Sequence, residues 1–146
     1  MEKAIYFDMD GTIANLYGVE NWLPKLRAYD ASPYTDATPL LRLSALAKRL
    51  NSLQEQGYVI GIVSWLSKDP NPTYGMAVAK AKREWLAKHL PSVAWNEIHI
   101  VPYGTPKASV VDFPNGILFD DEEPNRKAWS GEAFDVDSIL ETLRSL

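Results

Sequence analysis

The sequence predicts an α/β protein, built as a three-layer sandwich with a parallel, Rossmann-like sheet and a very small cap insert. Short apolar runs alternate along the chain with segments whose apolar residues recur every three or four positions, the order expected of strands and helices in a parallel sheet. The runs are continuous rather than alternating, which is typical of strands covered on both faces. Several end in acidic or hydroxyl residues, at the edge of the sheet where such folds bind ligands.

In the first part of the chain, a predicted strand, Ala4–Phe7, ends at Asp8–Gly11. Segment 13–37 shows no clean period and is predicted to form a small cap insert, either a loop or one or two short helices. A helix is predicted to begin at Thr38–Pro39, with the threonine as N-cap and the proline in the first turn, and to end at Gly57. The apolar positions of this helix are Leu43, Leu46, Ala47, Leu50 and Leu53.

The second part of the chain continues the alternation of strands and helices. Tyr58–Trp65 is predicted to be a buried strand, and Asn71–Pro72 to open a helix that runs to about His89. The apolar side of this helix is predicted to comprise Val78, Ala81, Trp85 and Leu86. The remaining predicted elements are strands at Ile98–Val101 and Gly116–Phe119, a short helix after Pro124, a brief strand near Ala133–Phe134 and a last helix through Ile139, Leu140, Leu143 and Leu146.

Length and composition exclude several classes of protein. With 146 residues, 46% of them hydrophobic and 23% charged, the chain suits one globular domain spanning residues 1–146 rather than a disordered or fibrous protein. The net charge of −4 argues against binding extended nucleic acid, which requires many cationic contacts. Without cysteine, disulfides, thiolate nucleophiles and cysteine-based metal sites are excluded.

The expected location is the cytoplasm, without a membrane association. The opening segment MEKAIYFDMDGT places aspartates inside its apolar run, which is not the pattern of a secretory signal. The chain also lacks any stretch approaching the about 20 apolar residues of a membrane span. The oligomeric state is left open.

The residues that end the predicted strands indicate where chemistry takes place. Asp8 and Asp10 follow the first strand, Ser64 lies at the end of the second, and Asp120 and Asp121 follow a later one. Four carboxylates at one edge of a sheet repel one another unless a cation or protons intervene. Hard oxygen ligands favour Mg²⁺, which retains coordination positions for water and a substrate phosphate. The sequence therefore predicts a magnesium-dependent phosphoryl-transfer site.

The segment Asp8–Thr12 carries the most specific chemistry. One carboxylate at a strand end can attack phosphorus to form an aspartyl-phosphate, and Asp10, two residues later, can protonate the leaving oxygen and then deprotonate water. Gly11 allows a tight turn, and Thr12 offers a hydroxyl and an amide to phosphate oxygens. The alternative interpretation is an Asp-Gly turn that merely closes a strand.

These residues match the D-x-D-G-T signature of the haloacid-dehalogenase-like (HAD) phosphatases, and the sequence resembles that superfamily. Ser64 fits the family's second motif, Lys107 its downstream lysine, and Asp120–Asp121 its acidic pair at the end of a later strand. The stretch from Lys107 to Asn125 further resembles the 5′(3′)-deoxyribonucleotidase branch. The order of the motifs covers most of the chain.

The resemblance implies an HAD-like fold and a Mg²⁺-dependent phosphomonoester hydrolase that acts through an aspartyl-phosphate, with nucleoside monophosphates as its small phosphorylated substrates. Asp8 is then the nucleophile and Asp10 the general acid and base. Thr12 and Ser64 bind the phosphoryl group, and Lys107 neutralises its charge.

By the same resemblance, Mg²⁺ binds among the Asp8 carboxylate, the Asp10 backbone carbonyl and the acidic pair Asp120 and Asp121. Asp121 is favoured over Asp120 as the direct ligand because alternate residues leaving a strand point in opposite directions. The alternative interpretation of the acidic pair is an N-cap for the helix near Pro124.

Three further residue assignments have alternatives. Lys68 is the alternative to Lys107 as the lysine that neutralises the charge of the phosphoryl group, whereas Lys82 is expected on the solvated face of its helix. Trp65 and Trp22 either face a substrate or pack in the interior. The buried tryptophans are expected to be Trp85 and Trp129.

The function also has alternatives. Segment 13–37 is shorter than the helical cap of the nucleotidases, which implies an open site. Such a site also suits a phosphatase of a macromolecular end or of a phosphoprotein. A non-catalytic module that binds phosphate is the alternative from another class.

Overall fold

The strands lie close to the apolar runs of the sequence. A computed structural model describes residues 2–146. Its strands are β1 (Ala4–Phe7), β2 (Ala14–Asn15), β3 (Thr38–Pro39), β4 (Val59–Trp65), β5 (Glu97–Val101), β6 (Ile117–Phe119) and β7 (Ala133–Phe134). Its helices are α1 (Trp22–Arg27), α2 (Ser32–Asp36), α3 (Leu43–Glu55), α4 (Pro72–His89), α5 (Glu123–Ala128) and α6 (Ile139–Arg144), with 3₁₀ turns at Leu16–Gly18, Lys107–Ser109 and Val136–Ser138.

Five strands form one parallel sheet in the order β5-β4-β1-β6-β7. The central strand β1 pairs with β4 and β6, so that Ile5 lies between Ile60 and Ile117. One face of the sheet packs against helices through a core that includes Ile5 and Leu50, while Tyr6 contributes to a second core on the other face. Because both faces are covered, the strands are continuous apolar runs, and the predicted α/β sandwich is confirmed.

Helix α4 begins where the sequence predicts. The side chain of Asn71 accepts a hydrogen bond from the backbone N–H of Tyr74 at 2.9 Å, and Pro72 occupies the first turn. This cap satisfies one of the donors left free at a helix start. Within residues 2–146, no helix combines the length and the apolar character needed to cross a membrane.

The predicted start of α3 at Thr38–Pro39 is wrong. These two residues form β3, which pairs antiparallel with Ala14–Asn15, and the helix begins only at Leu43. The cap signal at Thr38–Pro39 is local, whereas pairing with β2 satisfies the backbone of both segments. The apolar face of the helix is as predicted, with Leu46 and Leu50 fully buried.

The ribbon of β2 and β3 brackets the segment that contains α1 and α2, called the insert below (residues 16–37). Leu16 and Tyr34 of the insert pack against Tyr74 and Val78 of α4. The indole N–H of Trp85, also on α4, donates a hydrogen bond to a backbone carbonyl of the insert. These contacts hold the insert beside the carboxyl edge of the sheet.

Candidate active site

Three carboxylates meet at the carboxyl edge of the sheet because β1 and β6 are neighbours. Asp8, Asp120 and Asp121 each offer an oxygen, and these oxygens all lie within 4.8 Å of one another. Such a set of hard oxygen donors fits Mg²⁺, which binds through carboxylates and substrate phosphate. Asp8 thus lies beside the acidic pair, which is distant in sequence, whereas Asp10 lines the same cleft without belonging to this group of three.

Lys107 lies against this cluster. It belongs to a 3₁₀ turn and is buried, with Nζ 3.0 Å from Asp8 Oδ1 and 2.6 Å from Asp120 Oδ2. Burial alone lowers the pKa of Lys107, but the two carboxylates outweigh it and raise the pKa above its usual value. Of the two lysines weighed for this place, Lys107 contacts Asp8, whereas Lys68 is exposed at the rim of the cleft.

The two members of the acidic pair have different surroundings. Asp120 is fully buried, and its carboxylate accepts hydrogen bonds from the Asn125 amide at 3.2 Å and from the backbone N–H of Glu122 at 2.9 Å. Asp121 is half-buried and lines the cleft. Burial, together with the charge of Asp8, raises the pKa of Asp121 to about 8. This arrangement favours Asp121 as the group that meets a ligand in the cleft.

Thr12 and Gly11 tie the two acid pairs together. The buried hydroxyl of Thr12 donates to Asp8 Oδ2 at 3.1 Å and accepts from the backbone N–H of Asp121 at 3.2 Å. Gly11 has φ of 79°, and a side chain there would collide with Asp121. The turn therefore requires glycine. The contact of Thr12 with phosphate stays a prediction, since its hydroxyl already bonds within the cluster.

The solvated position predicted for Lys82 is wrong. Only 1% of its side chain is exposed, and Nζ donates to Asp10 Oδ2 at 2.8 Å, Ser64 Oγ at 2.7 Å and the backbone carbonyl of Trp65 at 2.6 Å. Burial raises the pKa of Asp10, and the charge of Lys82 opposes that shift. The predicted phosphate contact of the fully buried Ser64 also stays a prediction.

The sequence holds a signal for the burial of Lys82. The residue lies four positions after Val78 and three before Trp85, both on the apolar side of α4. Residues three and four apart share one face of a helix. A lysine on this apolar face either interrupts the core or is buried against an acidic side chain. The aspartates that follow the predicted strands offer such acidic partners.

The cluster forms the floor of a cleft of about 280 Å³, near the lower end of ligand-pocket volumes. Asp8, Asp10 and Asp121 lie on its floor. Its walls are largely apolar and come from the insert and from the ends of β4 and β5. The apolar and aromatic lining residues are Leu16, Tyr17, Trp22, Leu23, Leu26, Tyr34, Trp65, Leu66 and Tyr103.

Two aromatic pairs line this cleft. Tyr17 and Trp22 of the insert meet edge to face with ring centroids 5.0 Å apart, and Trp65 packs on Tyr103 at 4.9 Å. The indole N–H of Trp65 donates to the backbone carbonyl of Thr105 at 2.8 Å, which fixes that ring. Of the open alternatives for Trp22 and Trp65, the structure supports the one in which both face the cleft.

The other two tryptophans weighed in the sequence are core residues. Trp85 and Trp129 are buried, as predicted. Each satisfies its indole N–H with a backbone carbonyl, that of Ala37 for Trp85 and that of Gly116 for Trp129.

The stability of the metal-free protein is expected to fall as pH rises. The pKa of Asp121 is about 8 in the folded chain and about 3.9 in an unfolded one. Between these values the folded chain binds more protons than the unfolded chain, so its free energy of unfolding decreases with pH. Thermal unfolding in EDTA is expected to show a lower Tm at pH 8 than at about pH 5, where the stabilising proton is still bound.

Mg²⁺ is expected to oppose this loss, and to raise the Tm more at the higher pH because protons compete with the cation for the same oxygens. The Asp121→Asn variant is the control, since it removes the titrating group and is expected to flatten the profile. An equal effect of Mg²⁺ at both pH values, or none, would contradict the metal assignment.

Comparison with known proteins leaves the fold as the common feature. No protein-family model and no curated protein sequence matches the chain. Among solved structures, the D,D-heptose 1,7-bisphosphate phosphatase from B. bronchiseptica, complexed with magnesium and phosphate, superposes with a TM-score of 0.58 at 13% identity, over 99% of both chains. The corresponding enzyme from Burkholderia thailandensis gives 0.51 at 14% identity, over 89% of this chain and 75% of the other. The chain therefore adopts the haloacid-dehalogenase-like fold that its motifs predict.

Proposed function

We propose that the protein is a Mg²⁺-dependent phosphomonoester hydrolase that acts through an aspartyl-phosphate on Asp8. The observation that carries the proposal is the position of the Asp8 carboxylate, on the floor of the cleft, clustered with Asp121 and bonded to Lys107. A nucleophilic carboxylate, a metal-binding acid and a fixed cation are thereby within reach of one phosphoryl group. The structural neighbours, both phosphatases by name, support the assignment.

In the first half of the reaction, an oxygen of Asp8 attacks phosphorus and the ester P–O bond breaks. Asp10 lines the cleft two residues away and gives its proton to the departing oxygen. The ammonium of Lys107 balances the charge gathered at Asp8. The phosphoryl group is then held on Asp8 as an acyl phosphate, and the alcohol leaves.

In the second half, a water molecule attacks phosphorus and the acyl-phosphate P–O bond breaks. Asp10 takes the proton of that water, inorganic phosphate is released, and both aspartates regain their starting state. When bound by Asp8, Asp121 and the Asp10 carbonyl, Mg²⁺ would offset the charge of the phosphoryl oxygens. Three buried side chains hold these groups in place, since Thr12 donates to Asp8, Ser64 accepts from Lys82 and Asp120 accepts from Lys107.

Nucleoside monophosphates are the substrates that we propose. Their phosphate suits the charged floor, and a flat base suits walls that carry the pairs Tyr17–Trp22 and Trp65–Tyr103, since aromatic rings stack on bases irrespective of sequence. We further propose that residues 1–146 form one domain with segment 13–37 as its small cap, and that this cysteine-free protein acts in the cytoplasm.

A panel of phosphate monoesters tests this function. With Mg²⁺, the protein is expected to release phosphate from p-nitrophenyl phosphate and from nucleoside 5′-monophosphates, and to lose this activity in EDTA. We expect kcat/KM for nucleotides to exceed that for hexose phosphates by about tenfold, the effect of one good stacking contact. No release from any monoester would contradict the enzyme assignment, while preferential release from a phosphopeptide would favour the phosphoprotein alternative.

A further inference from the structure

We infer that Lys82 is a positioning residue that fixes the carboxylate of Asp10, with Ser64 and the Trp65 carbonyl anchoring its ammonium. Its role rests on the proposed function, in which Asp10 transfers protons. Lys82 is not among the residues that line the cleft, whereas Asp10 is. Lys82 therefore acts on the reaction through Asp10 rather than by touching the substrate.

The contacts of Lys82 leave its ammonium little freedom. An ammonium has three N–H donors, and Nζ has three acceptors at 2.6 to 2.8 Å, namely Trp65 O, Ser64 Oγ and Asp10 Oδ2. The same Nζ lies 5.2 Å from the ring centroid of Tyr34, in the insert. The turn after β1, the end of β4 and the insert thus converge on one buried charge of α4.

The geometry leaves one oxygen of Asp10 for chemistry. Lys82 binds Oδ2, and 18% of the Asp10 side chain remains exposed to the cleft. With Oδ2 bound to Lys82, Oδ1 is the oxygen that we assign to proton transfer with the leaving group. The two buried lysines then have separate tasks, because Lys107 contacts Asp8 and Lys82 contacts Asp10.

A positioning role predicts a particular pattern of lost activity. Proton donation matters more as the leaving group becomes more basic. If Asp10 loses its fixed orientation, hydrolysis of phenyl phosphate is impaired more than hydrolysis of p-nitrophenyl phosphate. A loss of folded protein lowers both rates by the same factor.

The experiment measures kcat/KM with Mg²⁺ for a series of aryl phosphates of graded leaving-group pKa. For Lys82→Met we expect a loss on phenyl phosphate at least about tenfold greater than on p-nitrophenyl phosphate. Lys80→Met is the matched control, since Lys80 lies two residues earlier on the same helix with 79% of its side chain exposed. It is expected to keep the wild-type rates. Equal losses of Lys82→Met on all substrates would overturn the positioning role.

A second pair of variants keeps the test valid if Lys82→Met fails to fold. These are Asp10→Asn and the double variant Asp10→Asn/Lys82→Met. Both lack the carboxylate at position 10, so removing Lys82 in the double variant leaves no unpaired negative charge there. Because Lys82 acts through Asp10, adding Lys82→Met to Asp10→Asn is expected to change kcat/KM less than about threefold. A further tenfold drop would show that Lys82 acts on the phosphoryl group by way of Ser64, against our inference. Wild-type protein that hydrolyses none of the esters would instead overturn the proposed function, and the role of Lys82 with it.

Discussion

Replacing Asp8 by asparagine is expected to lower kcat for p-nitrophenyl phosphate by about 10³-fold or more, the scale of loss when a nucleophile is removed. Asparagine has nearly the same shape, and its single carbonyl oxygen can still accept the hydrogen bond of Lys107. Its NH₂ group does not accept the bond that Thr12 donates to the other oxygen of Asp8, and the amide does not form an acyl phosphate. The measurement is the steady-state release of phosphate with Mg²⁺.

The control for this variant is Asp36→Asn, an equivalent change at an exposed aspartate of α2, which is expected to keep the wild-type rate. In EDTA, Asp8→Asn is expected to unfold at a Tm no lower than that of the wild type, because it removes a negative charge from a crowded group of three carboxyl side chains. A kcat within about tenfold of the wild type would exclude Asp8 as the nucleophile.

Replacing Lys107 by methionine is expected to lower the free energy of unfolding by about 3–5 kcal/mol in EDTA, the range for removing one partner of a buried ion pair. The ammonium is buried between Asp8 and Asp120, and without it these two buried carboxylates lose their counter-charge. For a chain of this length, that loss corresponds to a fall in Tm of about 6–20 °C in thermal unfolding.

Lys68→Met is the control for Lys107→Met, because Lys68 lies exposed at the rim of the same cleft. It is expected to change the Tm by less than about 2 °C, as surface substitutions do. Mg²⁺ is expected to restore part of the Tm of Lys107→Met, since it supplies positive charge to the same oxygens. Lys107→Met protein as stable as the wild type in EDTA would contradict the charge balance described for the cluster.

The sequence predicts the sheet well because its strands are covered on both faces. Ala4–Phe7 and Tyr58–Trp65 are apolar at nearly every position, and this pattern is visible without knowledge of the neighbours. The start of α3, by contrast, cannot be predicted from a local pattern. Thr38–Pro39 carries a local cap signal, but its conformation is decided by pairing with Ala14–Asn15, a partner more than twenty residues away that no local pattern identifies.

The acidic part of the site is predictable for a related reason. Asp8 and Asp120–Asp121 follow strands whose carboxyl ends must share an edge of a parallel sheet. The lysines are not, because their side chains reach the edge from a turn and from the middle of a helix. Lys107 is indicated only by its place in the order of the motifs and Lys82 only by its position on the apolar side of α4, and the contacts of both follow from the packing of α4 and of the turn before β6.

Helix α4 anchors the insert in addition to carrying Lys82. The hydroxyl of Tyr74 donates to the Asp30 carbonyl at 2.9 Å, and Trp85 donates to the Ala37 carbonyl at 2.7 Å. These hydrogen bonds lie near both ends of the segment that carries α2, so they hold this segment of the insert in a fixed position against α4. For the proposed reaction, we therefore expect substrate entry and product release to proceed without displacement of α2.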